Sequence, residues 1–163
     1  MALVPDKLKN LILLIGSHRK VSQLGLTKLY KLIYLSDVLA LRELGQSITG
    51  SDYIKYEHGP VPSRGEKAIK KLKAEGAIVS QIVELDSSMK MNRITSRKAA
   101  DRRLFSAGEQ DVIERVCATY GNWTATALSN LSHKEPAWAA AATLDKMSHS
   151  LMHYGIEEDS EGL

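Results

Sequence analysis

The chain has a single cysteine, Cys117, among 163 residues. One thiol excludes an intrachain disulfide and a cysteine-based zinc cage. Cys117 sits in the helical pattern VIERVCATY, where a small buried apolar side chain is expected rather than a nucleophile. Long hydrophobic runs are missing too. The run from Leu11 to Ile15 is too short for a membrane span, follows both acid and base in MALVPDKLKN, and precedes no cleavage site. The sequence therefore predicts a cytoplasmic protein with neither signal peptide nor membrane anchor. Phosphate-cradling loops of the G-x-x-x-x-G-K or G-x-G-x-x-G kind do not occur. Ser129, Ser132 and His133 lie close in sequence, but no Gly-x-Ser-x-Gly elbow accompanies them, and Ser132 reads as the cap of a following turn. His149 and His153 stand four apart, a spacing that metal sites use on helices. No glutamate follows the first and no third ligand is near, so a surface pair is expected. These absences predict a protein that is not an enzyme, with no catalytic residues, no metal and no cofactor.

What is present is ordinary in amount and uneven in placement. Hydrophobic residues make up 44% and charged residues 25%, enough for one domain with a real core. The net charge is +3, yet Ser63 to Arg103 holds eleven Lys and Arg against five Asp and Glu. That stretch is a local +6, and the rest of the chain is −3. Four of the remaining acids crowd into Glu157 to Glu161. A basic middle with an acidic tail suits nucleic acid or an acidic protein partner.

Helical spacing of Leu8, Leu11, Ile12 and Ile15 predicts a first helix from Pro5 to His18. A second, with wide apolar stripes through Leu29, Leu32, Ile33, Leu35 and Leu39, runs from Leu26 to Leu44 and stops at Gly45. Ile48 to Glu57 reads as extended, and Pro60 and Pro62 forbid helix in the turn after it. Ser63 to Glu66 reads as a capping box opening a basic third helix that ends at Gly76. AIVSQIVEL, the turn Asp86-Ser87-Ser88 and Lys90 to Ser96 form a hairpin. A second capping box, Ser106 to Glu109, starts a fourth helix to Tyr120; Thr124 caps a fifth through Leu131, and Pro136 starts a sixth. The expected fold is α+β and mostly α: a helical domain with one small antiparallel β-hairpin, in winged-helix-like order.

Two features invite a functional reading. Asp37 lies within an apolar helix, where a carboxylate is costly unless paired or exposed. It is either an exposed carboxylate near Arg42 or Lys31, or a polar anchor for the Gly59-Pro60 turn or for a partner's base. His58-Gly-Pro-Val-Pro62 is a stiff turn, and stiff loops lose little entropy on binding. Lys67 and its helical neighbours Lys70 and Lys71, with Arg93 on the hairpin, are the candidate nucleic-acid contacts. Charge runs of this kind usually coat a solvated helix face.

The pattern K-L-x-K-L-x-Y-L-x-D at Lys28 to Asp37, ITG at Ile48 to Gly50, Tyr53 and GPV at Gly59 to Val61 resembles the Panacea domain of the SocA-like antitoxin family. Leu131-Ser132-His133 with Pro136-x-Trp138 fits the family's C-terminal signature, although Ala137 separates the usual Pro-Trp pair. The resemblance covers roughly Leu8 to Trp138, which predicts one Panacea-like domain over residues 1–145 and a C-terminal extension with an acidic tail over 146–163. It implies a protein-binding domain carried by prophages and toxin–antitoxin systems, neutralising a cognate toxin by direct contact. In one mode it acts as a proteolytic adaptor that hands its toxin to a Clp-type protease. The expected toxin-facing residues are Asp37, Tyr53, Gly59, Pro60 and Val61. The alternative is a winged-helix-like DNA-binding regulator of the same operon.

Overall fold

The computed structural model describes residues 5–86 and 88–155, so Ser87 and the acids from Glu157 to Glu161 lie outside the described residues. Helix α1 (Pro5–Ser17) is followed by α2 (Leu26–Leu44), β1 (Tyr53–Tyr56), β2 (Gly59–Pro62), α3 (Gly65–Ala74), β3 (Ile78–Glu84) and β4 (Lys90–Ser96). A 3-10 turn at Arg102–Leu104 leads into α4 (Ala107–Tyr120), α5 (Ala125–His133), α6 (Pro136–Ala140) and α7 (His149–Met152). Helices dominate and the strands form two separate antiparallel pairs, an α+β and mostly α fold.

Helix α2 is the axis. It packs against α1, α4, α5, β2 and β4 and is buried on nearly every side, as its wide apolar stripes demand. Gly45 ends it at φ 81°, its N–H donating to the Leu41 carbonyl. Even the lysines of this helix are enclosed. Lys28 Nζ donates to the Ser22 carbonyl and, at 2.6 Å, to that of Gly121, tying the α1–α2 connection to the end of α4. Burial holds its ammonium below the usual lysine range. Cys117 is fully buried in α4, where burial raises its thiol to about 12.

The Ser106 capping box is present in full: Ser106 Oγ accepts from the Glu109 N–H, and Glu109 returns the bond to the Ser106 N–H. Thr124 likewise caps α5 through the Ala127 N–H. Ser63 does not cap α3, which corrects the expected box there. The helix begins at Gly65 with Arg64 before it and no side-chain cap, because Ser63 still belongs to the extended chain, its N–H donating to the Asp52 carbonyl. Ser132 caps nothing either; its hydroxyl donates back to the Ser129 carbonyl.

A second hairpin replaces the simple turn expected at Gly59 to Pro62. Tyr53 pairs with Pro62, Ile54 with Val61, Lys55 with Pro60 and Tyr56 with Gly59. Two prolines fit this strand because it has a single strand neighbour and its ring nitrogens need donate to nothing. The chain beyond residue 145 packs back on this hairpin. Met147 and Met152 join the core, and the Met147 N–H donates to the Tyr53 carbonyl.

Candidate functional site

The sequence elements YLSD and SITGSDY meet inside the protein. Asp37, wholly buried on α2, accepts from the backbone N–H groups of Ile48 at 3.0 Å and Thr49 at 2.9 Å, both on Oδ1. Its Oδ2 takes Thr49 Oγ1 at 2.5 Å and the Tyr53 hydroxyl at 2.6 Å. Gly50, at φ 69°, lets the chain turn back around the carboxylate. Burial raises the Asp37 pKa, and the four donors oppose that shift. The Tyr53 ring meets Tyr34 edge-on at 5.1 Å. Asp37 is thus neither the exposed carboxylate nor the partner of the Gly59-Pro60 turn. Both it and Tyr53 are fully enclosed, which corrects their expected place on a toxin-facing surface: they shape the loop and have no area to offer a partner.

Gly59 and Pro60 are buried and Val61 is half-buried, so only Val61 reaches the surface. Together with the start of α2 they line a cleft of about 470 Å³, whose rim carries Leu26 and Tyr56, each 43% exposed. Glu57, His58 and Glu66 complete the rim, and Tyr30 and Lys31 form its wall. Lys31 is 2% exposed and has no hydrogen-bond or ion-pair partner among the described residues. Burial alone lowers its ammonium to about 8. Gly59 is required here twice over. Its φ is 128°, and a Cβ on it would lie 2.8 Å from Lys31 Nζ and 2.8 Å from Ser132 Oγ.

Behind the cleft the loosely matched C-terminal signature forms a stack. The His133 and Trp138 rings lie parallel at 3.9 Å, and Lys55 Nζ sits 3.8 Å from the Trp138 ring centroid. Lys55 also donates to the Ala141 carbonyl at 3.0 Å. Burial and the charge of Lys31 lower the His133 pKa. Ser129 Oγ donates to the His58 carbonyl, so α5 braces the turn from beneath.

The proposed nucleic-acid contacts divide. Lys67 and Lys71 share a groove of about 220 Å³ with Lys9 and Arg64, between α1 and α3. Lys70 bridges to Glu66 at 3.0 Å, and Arg93 lies exposed on β4, outside that groove. His149 accepts or donates 2.7 Å from Asp52 instead of pairing with His153. No group of three or more His, Cys, Asp or Glu that could hold a metal occurs among the described residues.

Sequence reasoning missed Lys31, Leu26 and Tyr30 as site residues. A helix buried all round hides its one unpaired lysine, since periodicity distinguishes faces only when one of them is wet. The one signal in the sequence was Lys31 standing between Tyr30 and Leu32 in an otherwise apolar stretch.

The geometry falls within a domain that a family model recognises. The model for the antitoxin SocA-like Panacea domain matches residues 29–139, which takes in the Asp37 cluster, the cleft turn and the His133–Trp138 stack. The chain belongs to this antitoxin-like family. No curated protein and no solved structure matches it. No described helix is long and apolar enough to cross a membrane.

Proposed function

We propose that this domain is a cytoplasmic, non-enzymatic antitoxin that neutralises a cognate toxin by direct contact. The observation that carries the reading is the cleft between α2 and the β1–β2 turn: stiff backbone at Gly59 to Val61 flanked by exposed Leu26 and Tyr56. A rigid loop beside an exposed aromatic offers contact area at small entropic cost, the combination that protein interfaces concentrate. Family membership supports a toxin as the partner in general terms. Delivery of the bound toxin to a Clp-type protease, and carriage in a prophage or toxin–antitoxin operon, extend the same reading. Co-expression with the product of the adjacent gene tests it. The parent should restore growth, and Tyr56→Ala, altered only at the rim, should restore it less well. Full rescue by Tyr56→Ala together with Leu26→Asp would move the interface elsewhere.

The groove of Lys9, Arg64, Lys67 and Lys71 favours a second reading, a DNA-binding regulator. Affinity for duplex DNA would then fall steeply with salt as counterions are released. Neutralising Lys67 and Lys71 would reduce the slope by about one for each phosphate that no longer meets a lysine. Undetectable binding at low salt removes this reading.

A further inference from the structure

Lys31 raises a problem that the fold does not solve. A lysine this deeply buried ordinarily has an acid or several carbonyls around its ammonium, and desolvation without them is costly. Lys28, one helical turn away, has two carbonyls. Lys31 has neither carbonyl nor carboxylate among the described residues, although two acids are close by on the same cleft. Glu66 is engaged with Lys70, and Glu57 stands exposed at the rim. Gly59 lets the ammonium lie directly against the turn, because a Cβ there would come within 2.8 Å of Lys31 Nζ. The result is an unneutralised cation on the wall of an open cleft, with apolar side chains at the mouth.

We propose that this cleft receives an acidic side chain of the protein partner, its carboxylate meeting Lys31 and a neighbouring apolar side chain resting against Leu26 and Tyr56. The inference rests on the antitoxin reading and names the chemistry of the surface the toxin presents. Charge complementarity selects the occupant: a carboxylate entering a low-dielectric wall gains more from one desolvated ammonium than from any solvated surface lysine. The rim acids Glu57 and Glu66 set a limit. They disfavour a segment with several acids in a row and favour one isolated carboxylate beside an apolar residue.

The experiment uses the whole chain and two blocked dipeptides, acetyl-Leu-Glu-amide and acetyl-Leu-Gln-amide, titrated by NMR. The glutamate peptide should bind about tenfold more tightly than the glutamine peptide at neutral pH, as expected for a hydrogen bond between charged groups. That preference should fade as the pH rises past about 8, where the free ammonium loses its proton. The other titratable groups facing Lys31 are Tyr30 on its own helix, Tyr56, Glu57 and His58 at the hairpin, Glu66 on α3 and His133 on α5. Lys31→Met isolates its contribution from theirs and should abolish the preference at every pH. Leu26→Asp, which leaves Lys31 intact, should weaken both peptides. Equal binding of the two peptides, or a preference that survives Lys31→Met, overturns the proposal. Toxin rescue separates the two levels. If the parent fails to rescue, the antitoxin reading falls and the peptides alone decide the cleft. If Lys31→Met loses the peptide preference yet rescues like the parent, the toxin does not use this carboxylate site and the proposal falls while the antitoxin reading stands.

Discussion

Asp37→Ala should be among the most damaging single substitutions in the protein, and Asp37→Asn should be mild. Alanine strands four buried donors: the N–H groups of Ile48 and Thr49, Thr49 Oγ1 and the Tyr53 hydroxyl. The two backbone donors have no other acceptor, at about 1–3 kcal/mol each. Thr49 keeps Ser51 Oγ at 2.8 Å, but the Tyr53 hydroxyl is left in the core. Loss of the desolvated carboxylate offsets part of this, leaving a net cost of about 3–5 kcal/mol. Asparagine behaves differently because of how the donors are distributed. Both backbone N–H groups use Oδ1, which asparagine retains. Its Nδ2 replaces Oδ2 opposite two hydroxyls, and hydroxyls can rotate to accept. Asp37→Asn should therefore cost about 1 kcal/mol or less. The pH dependence supplies a second check. Burial raises the Asp37 pKa above its unfolded 3.8, so its contribution is fully present below 3.8 and is lost as pH rises through the folded value. The gap between parent and Asp37→Asn should accordingly narrow as pH rises from 3.8 to that value and stay constant above it. Urea unfolding followed by tryptophan fluorescence and far-UV circular dichroism measures all three proteins. An alanine variant within about 1 kcal/mol of the parent at unchanged m, or an asparagine variant as unstable as alanine, would refute the reasoning.

Three further outcomes follow from the same geometry. Gly59→Val should cost about 3–5 kcal/mol, since it combines a strained φ of 128° with collision against Lys31 and Ser132, and a variant melting like the parent would refute it. Lys31→Met should stabilise the protein by about 2–3 kcal/mol at neutral pH. The parent's ammonium has a folded pKa of about 8 against 10.5 unfolded, so its burial cost is full below pH 8 and disappears as pH rises to 10.5; a gap between the two proteins that stays constant across that window would refute it. Ser106→Ala should cost about 1 kcal/mol by removing the α4 cap, read from the urea midpoint, and Thr should recover most of the loss.

Elements with strong local chemistry were legible in the sequence. The extent of α2, the Gly45 stop, the Ser106 box, the Thr124 cap and the β3–β4 hairpin each depend on residues within a few positions of one another. The β1–β2 hairpin was not legible because its strand carries two prolines, whose usual meaning is a turn; only the lack of another strand beside it makes them admissible. The Ser63 box matched the motif and failed in the structure because the neighbouring hairpin keeps Ser63 extended. Asp37 was recognisable as an anomaly, but whether a lone carboxylate is wet or caged depends on a loop eleven residues away in sequence.

The family's signature divides into parts with different physical duties. YLSD and SITGSDY build a closed hydrogen-bond cluster with no exposed member at Asp37, Thr49 or Tyr53, so these residues serve the fold. The HGPVP segment has a dual duty: Gly59 and the prolines fix the turn, and the fixed turn is one side of the cleft. Leu26, Tyr56, Glu57 and His58, the exposed side chains of the cleft, belong to no part of the signature except at the His58 edge. A domain built this way holds its scaffold together without drawing on the rim side chains. Recognition of the family from sequence therefore reads the scaffold and says little of the exposed side chains at the cleft rim.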